Sequence, residues 1–430
     1  MEDSASSSAV PCVFCQLSAY KGRSTSPLLN TPSIFNLSGR TVAIAPKAGY
    51  LPTLDGWRAI AIIAVLLDHT VEYSSLGHYP RLVSLTHTGP NGVSLFFAIS
   101  GFLICSRLLE EDRAFGQISL RGFYIRRACR ILPPAMFYLF VIGALSLCGL
   151  ILVSPGDWWS SVFFFRNYLP EHWISRGWGG YTVHYWSLAV EEHFYFLWPA
   201  ALVFLGKRRA RWFALSLAIA VASWRAWDFH RHWFDRLIPG LIFGGRTDVR
   251  LDALLLGCVA ALLLDDDSFR AAFSQRFRPW MWWLCVGGYG AAQLVYLLRQ
   301  SRSYSLFESA LLPLVVAGTV YGPKTLVTKL LESDVLKWIG RLSYSLYLWQ
   351  QLFSVPAKSS FSILQRPPLN TLLIFLCAWL SYRFIERPFI RWGHRLAPPL
   401  TEGREDLAPH RHETLKTGNE PAGVADKLGE

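Results

Sequence analysis

The run LDGWRAIAIIAVLLDHTVEY, residues 54–73, establishes the class of this protein. It is apolar over about the 20 residues that a membrane-spanning helix needs. Arg58 and His69 lie inside it, and a charged side chain within a span usually faces the interior of the helix bundle. On a helix the two would lie about 20° apart around the axis and about 16 Å apart along it. They are therefore predicted to face one interior at different depths, although an arginine that reaches the membrane surface and a histidine bonded between helices would fit too.

Composition agrees with a membrane protein that has polar ends. Of 430 residues, 52% are hydrophobic, 15% aromatic and only 17% charged, and the mean hydropathy is +0.27. Soluble domains are about 25% charged. The net charge of +12 accompanies no nucleic-acid-binding motif, so we expect no nucleic-acid partner and assign the basic residues to cytoplasmic loops.

We predict an all-α, polytopic fold of about ten transmembrane helices, because ten apolar runs are long enough to span. Lys and Arg concentrate in alternate loops, which places both termini in the cytoplasm. The run 158–169 is short and is interrupted by Arg166, so it is predicted to be interfacial or re-entrant. The ten predicted spans are residues 57–76, 89–108, 132–153, 185–206, 211–229, 249–265, 280–299, 305–322, 338–356 and 369–391.

Three regions follow from this pattern. Residues 1–50 are predicted to be a polar, disordered extension, residues 51–395 a multipass membrane domain, and residues 396–430 a polar cytoplasmic tail. Cys12 and Cys15 form a lone CxxC in the extension. A zinc site needs four ligands and no second pair is near, so no metal is predicted.

The fourth predicted span carries two carboxylates in the stretch HYWSLAVEEHFYFLWP, residues 184–199. Ser187, Glu191 and Tyr195 follow i, i+4, i+8 spacing and share a helix face. Glu192 is adjacent to Glu191, so the two are expected to point apart. Burial would raise the pKa of a carboxylate or require a cation such as Arg58 or His69 nearby, and either a functional site or a structural ion pair would fit.

The first cytoplasmic loop ends in FYIRRACRILPP, residues 123–134. Arg126 and Arg130 share a helix face at i, i+4 spacing, and Arg127 flanks them. Guanidinium groups bind phosphate well, so the cluster is suited to the phosphates of a cytosolic nucleotide-like cofactor. Ordinary positive-inside topology or attraction to anionic lipid would give the same charges.

Six fragments, in chain order, resemble the membrane-bound acyltransferase family 3, and the resemblance covers roughly residues 50–395. One departure is Gln350, which stands where family members commonly have His, so we assign no proton-transfer role to that segment. The fragments are R-x10-H from Arg58 to His69, F-F-x-x-S-G-F at 96–102, R-R-x-x-R at 126–130, W-S-L-x-x-E at 186–191, G-R-x-S-Y-x-x-Y-L-W at 340–349 and I-E-x-P-F at 385–389.

The resemblance implies a multipass O-acyltransferase of the cytoplasmic membrane, in contact with membrane lipid. It would move an acyl group, commonly acetyl, from acyl-CoA to a hydroxyl of a carbohydrate or glycolipid. Many relatives carry a further esterase-like domain, so here acceptor handling is expected in the membrane domain or by a separate envelope partner. The implied site has His69 as base (an acyl-His intermediate remains open) with Arg58 and Glu191 as further catalytic residues, Arg126, Arg127 and Arg130 on the coenzyme A phosphates, and Asp55, Ser100, Trp186, Ser187 and Tyr344 on the substrate.

A transporter or flippase of a glycan or small solute is the alternative, since buried charges among ten spans suit it. No pair of Gly/Pro-interrupted spans in matching halves stands out, which disfavours a repeat-built carrier. A non-catalytic scaffold has no need of intramembrane His, Arg and Glu. Binding of acetyl-CoA that depends on Arg126 and Arg130 would separate the enzyme from the transporter.

Overall fold

The computed structural model describes residues 50–72, 88–170, 180–240, 243–299, 305–355 and 360–398. The predicted N-terminal extension, with Cys12 and Cys15, and most of the C-terminal tail lie outside these residues. Within them all regular structure is helical. The α-helices are α1 Pro52–Glu72, α2 Gly89–Phe115, α3 Leu120–Leu147, α4 Pro155–Val162, α5 Tyr185–Arg231, α6 Trp233–Leu237, α7 Leu251–Leu264, α8 Asp267–Arg276, α9 Pro279–Arg299, α10 Ser305–Tyr321, α11 Leu326–Leu331, α12 Asp334–Ser354, α13 Leu369–Ser381 and α14 Arg387–Leu396.

Each of the ten predicted spans falls largely within a helix, so the all-α prediction is confirmed for the described residues. By length and composition, four helical stretches in the described part of the chain can cross a membrane: Gly89–Phe115, Leu120–Leu147, Gly180–Arg231 and Leu369–Leu396. Two shorter helices, Leu251–Leu264 and Leu306–Tyr321, are also apolar. The count of ten spans and the orientation of the termini stay predictions.

The fourth and fifth predicted spans belong to one long helix, α5, that is broken at Gly206. The backbone of Gly206 has φ 70° and ψ 163°, a left-handed conformation that costs glycine little because it has no Cβ. Basic residues follow the break directly, beginning with Lys207. The break therefore occurs at the loop that the sequence predicts between these two spans.

The segment predicted to be interfacial or re-entrant folds as the eight-residue helix α4 and a 3₁₀ turn, Arg166–Tyr168. Eight helical residues rise about 12 Å, too little to cross a bilayer. Arg166 is buried with its Nη2 atom 3.1 Å from Oδ1 of Asp157. The charge that interrupts the apolar run is thus compensated by a carboxylate at the start of the same segment.

Tight helix packing builds the centre of the domain. Helix α1 packs between α2 and α12, α2 packs on α7, and α7 packs on α5. Small residues permit a close approach between α2 and α7, because a Cβ at Gly101 would overlap the backbone carbonyl of Leu254 and a Cβ at Gly257 would overlap that of Ala98. This packing gathers α1, α2, α5 and α12 around one cleft, which α3 completes.

Candidate active site

A cleft with an empty volume of about 610 Å³ lies among these five helices. Its charged lining consists of Arg58 from α1, Arg127 and Arg130 from α3, and Glu191 and Glu192 from α5. Three guanidinium groups face two carboxylates, so the formal charge of the lining is positive. An anionic ligand is therefore favoured, and the planar guanidinium suits phosphate and carboxylate oxygens.

Serine and tyrosine hydroxyls form the neutral polar part of the cleft. The Ser187 Oγ and Tyr347 OH atoms are 2.5 Å apart, and Tyr347 also donates to the backbone carbonyl of His184 at 3.3 Å. Tyr344 donates to the carbonyl oxygen of Ile131 at 2.9 Å. The hydroxyls thus tie α12 to α5 and α3, and they fix the width of the cleft where these helices meet.

Glu191 is the centre of a hydrogen-bond network on the cleft wall. Its Oε1 accepts from Ser100 at 3.0 Å, and its Oε2 accepts from Tyr195 at 2.8 Å. Arg127 lies over the Tyr195 ring, 3.7 Å from its centroid, with Nη2 4.0 Å from Glu191. Glu191 is therefore placed to orient Arg127, and among the described residues it makes no hydrogen bond or ion pair with His69.

Glu191 and Glu192 both line the cleft. Adjacent residues lie about 100° apart on a helix, so two neighbours can border one cleft without pointing in the same direction. The expectation that the two carboxylates point apart stays a prediction.

The three arginines of the R-R-x-x-R fragment are divided between two environments. Arg127 and Arg130 line the cleft, whereas Arg126 bonds to Oε2 of Glu111 and to the carbonyl of Ala397, each at 3.2 Å. The i, i+4 spacing paired Arg126 with Arg130, but the structure presents the i, i+3 pair to the cleft. Arg126 instead joins α2, α3 and the end of α14.

Arg58 and His69, both on α1, take different positions relative to the cleft. Arg58 lines it, whereas His69 is not among the lining residues. His69 faces α12, where its Nδ1 lies 2.7 Å from Oε1 of Gln350. Gln350 is fully buried and follows the cleft residue Tyr347 by three positions, about one helical turn. His69 is therefore a half-buried residue against α12, near the cleft residue Tyr347 but not among the residues that line the cleft.

The five residues predicted to bind substrate are also divided. Ser100, Ser187 and Tyr344 line the cleft. Asp55 does not, and its Oδ2 accepts from the Tyr50 hydroxyl at 2.7 Å. Trp186 packs edge-on against Phe97 with ring centroids 6.2 Å apart, and the guanidinium of Arg250 lies 5.5 Å from its ring. Asp55 and Trp186 are therefore not among the residues that line the cleft.

Sequence reasoning missed two buried polar residues beside the cleft, Gln350 and His184. The His184 ring is enclosed by Tyr138 and Tyr347, with centroids 5.3 and 5.5 Å away, and neither ring nitrogen has a hydrogen-bond partner among the described residues. The available signal was its place two residues before the W-S-L fragment. Gln350 was visible as the departure from the family pattern, but its contact with His69 joins residues far apart in the chain.

Comparison with known proteins places the chain among acyltransferases. A family model described as "Acyltransferase domain" matches residues 51–382, more than three quarters of the chain. The chain belongs to this acyltransferase family. The match begins one residue before α1 and takes in every helix that lines the cleft.

Two curated relatives come from Staphylococcus aureus. The O-acetyltransferase OatA of strain MRSA252 is 29% identical over 380 residues, which cover 84% of this chain and 60% of the relative. A putative O-acetyltransferase of strain COL is 30% identical over 375 residues, 81% of this chain and 58% of the relative. The chain thus spans less than two thirds of the length of these relatives. No solved structure matches it.

Proposed function

We propose that the protein is a membrane O-acetyltransferase that moves an acetyl group from acetyl-CoA to a hydroxyl of a carbohydrate or glycolipid. The observation that carries the proposal is the convergence of Arg58, Arg127 and Arg130 on one cleft inside a membrane acyltransferase domain. The names of the relatives, O-acetyltransferases, support the acetyl group and the hydroxyl acceptor.

A donor of the coenzyme A type fits the distance between the arginines and His69. Arg58 and His69 lie eleven residues apart on α1, so about 16 Å of helix separates them. Coenzyme A carries its phosphates and its thioester at opposite ends of a long arm. Arg127 and Arg130 hold the phosphates by charge-assisted hydrogen bonds, and the arm extends from the cleft toward His69.

Acyl transfer at His69 is a proton-coupled substitution. The imidazole takes the proton from the acceptor hydroxyl while the hydroxyl oxygen attacks the thioester carbonyl carbon. The carbon–sulfur bond then breaks, and the imidazolium returns the proton to the departing thiolate. Arg58 positions the donor from the same helix face, and Glu191 contributes by holding Arg127 toward the cleft.

The experiment uses the full chain in isolated membranes and [14C]acetyl-CoA as probe. Label is expected in the polysaccharide or glycolipid fraction with the wild type, and Arg130→Gln is expected to raise the acetyl-CoA concentration needed by about tenfold or more, the loss of a charge-assisted hydrogen bond. Arg121→Gln, an exposed arginine of the same helix, is the matched control. Absence of label together with solute movement that needs no acetyl-CoA would contradict the proposal and favour a transporter.

A further inference from the structure

A chain of three amide contacts ends on His69. The backbone carbonyl of Gly180 accepts from Nε2 of Gln351 at 2.6 Å, and Oε1 of Gln351 accepts from Nε2 of Gln350 at 3.1 Å. Oε1 of Gln350 lies 2.7 Å from Nδ1 of His69. Both glutamines are buried, with exposed fractions of 0% and 2%.

The direction of this chain is fixed by chemistry. A backbone carbonyl can only accept, so Gln351 must turn its amide nitrogen toward Gly180 and its oxygen toward Gln350. Gln350 must then offer its nitrogen to Gln351 and its oxygen to His69. An amide oxygen is never a donor, so the hydrogen of this last bond is on Nδ1 of His69.

We propose that Gln350, held by Gln351 and the Gly180 carbonyl, is a positioning residue that sets the tautomer of His69 for acyl transfer; this inference rests on the proposed function. With its hydrogen on Nδ1, neutral imidazole has its lone pair on Nε2. That nitrogen takes the acceptor proton. When it does, the bond from Nδ1 to Gln350 becomes charge-assisted and stabilises the imidazolium.

Gln350, which departs from the family pattern, thus acts as a hydrogen-bond acceptor and does not need to change its protonation state. A histidine at this position can donate or accept with either nitrogen, whereas a glutamine with a fixed amide presents one orientation only. Gln350 itself gains and loses no proton, because its side chain is an amide. What Gln350 provides is the acceptor oxygen that a carboxylate provides in a Ser-His-Asp triad.

The first test determines the tautomer of His69 by a measurement that does not require enzymatic activity. Purified full-length protein in lipid nanodiscs, labelled with 15N-histidine, is compared with His69→Ala to assign the His69 signals. The inference predicts that at a pH where His69 is neutral its Nδ1 is protonated and its Nε2 is not. Protonation of Nε2, or an equal mixture of tautomers, would overturn it whatever the activity shows.

The second test distinguishes a role of Gln350 in positioning His69 from a general loss of structure in the variant. Gln350→Leu is expected to lower kcat by about 10- to 100-fold, the loss of one bond to a charged group, while the KM for acetyl-CoA is unchanged and the His69 tautomers become mixed. Gln350→Glu keeps an acceptor oxygen and is expected to restore a single tautomer and most of the rate. Gln365→Leu is the matched control, since it removes a side-chain amide that donates to the backbone carbonyl of Leu352 at 2.8 Å.

The results of the second test distinguish an error in the positioning role of Gln350 from an error in the proposed acetyl transfer. Full activity of Gln350→Leu, or a rise in KM without a change in kcat, would overturn the positioning role. Full activity of His69→Ala would instead reject the base while leaving the tautomer result standing. Retained acetyl-CoA binding shows that a variant is folded. If Gln350→Leu does not fold, the result for Gln350→Glu still decides the test.

Discussion

Individual charged residues inside this domain have two kinds of environment. Some line the cleft, as Arg58 and Arg130 do, and face space that a ligand can fill. Others are paired and closed off, as Arg225 is with Asp252 through two bonds of 2.9 and 2.6 Å. In the sequence, both kinds are charged residues within apolar runs. Only the packing of helices that are distant in the chain shows which residues line the cleft and which form closed ion pairs.

The closed pair makes a prediction about stability. Asp252→Ala leaves the buried guanidinium of Arg225 without its carboxylate, and breaking a buried pair on one side costs about 3–5 kcal/mol. We expect a large fall in the thermal unfolding midpoint of the detergent-solubilised protein. Asp334→Asn, at a surface carboxylate whose side chain is 98% exposed, is expected to change the midpoint little. Equal effects of the two would contradict a structural role for the pair.

A second residue-scale prediction concerns the wall of the cleft. Tyr195→Phe removes the 2.8 Å bond to Glu191 but keeps the ring beneath Arg127. Loss of one such bond to a charged acceptor costs about 1.5–3 kcal/mol, and we expect weaker acetyl-CoA binding because Arg127 loses its fixed position. Binding measured by isothermal titration in nanodiscs checks this, and unchanged affinity would show that Glu191 does not act through Arg127.

At the scale of helices, the sequence predicted where helices occur, but it did not predict which side chains pair between them. Each of the ten apolar runs falls largely within a helix of the described residues, because span length is set by the thickness of the bilayer. Spacing placed Arg126 beside Arg130, but Arg126 has a partner in Glu111, 15 residues away on another helix. Likewise, Gln350 lies 281 residues from His69. Pairings of this kind arise from helix packing, which periodicity does not encode.

Close packing of α2 on α7 gives an element-scale prediction. Gly101→Ala places a Cβ into the backbone of Leu254, and overpacking of this kind typically costs about 1–3 kcal/mol. The midpoint of thermal unfolding is expected to fall, with lower yield of folded protein. Gly290→Ala, in α9 with nothing within 4 Å of the added Cβ, is the control. A Gly101→Ala protein as stable as this control would show that the two helices are less tightly packed.

At the scale of the whole molecule, the account depends on orientation. Cytosolic acetyl-CoA must reach the arginine end of the cleft, which the loop charges place on the inside. The family model supports a single acyltransferase domain through residue 382, and the fold supports helices that cross a membrane. Which side each loop faces is a prediction from charge alone.

Cysteine labelling tests that orientation. Ser268→Cys in α8 and Arg236→Cys in α6, both exposed positions, are introduced singly into a chain without other cysteines. In intact cells a membrane-impermeant maleimide is expected to label residue 236 and not residue 268, and both are expected to react after permeabilisation. Labelling of residue 268 from outside would reverse the topology and separate the cleft from cytosolic acetyl-CoA.

The most direct measurement for the central claim is acetyl transfer by His69→Ala in nanodiscs, compared with wild type at saturating [14C]acetyl-CoA. His394→Ala, an exposed histidine of α14, is the control. The account predicts that His69→Ala loses transfer by about 10²–10⁴-fold, the contribution typical of a general base, and still binds acetyl-CoA through the arginines. Transfer by His69→Ala at the rate of His394→Ala would contradict the account.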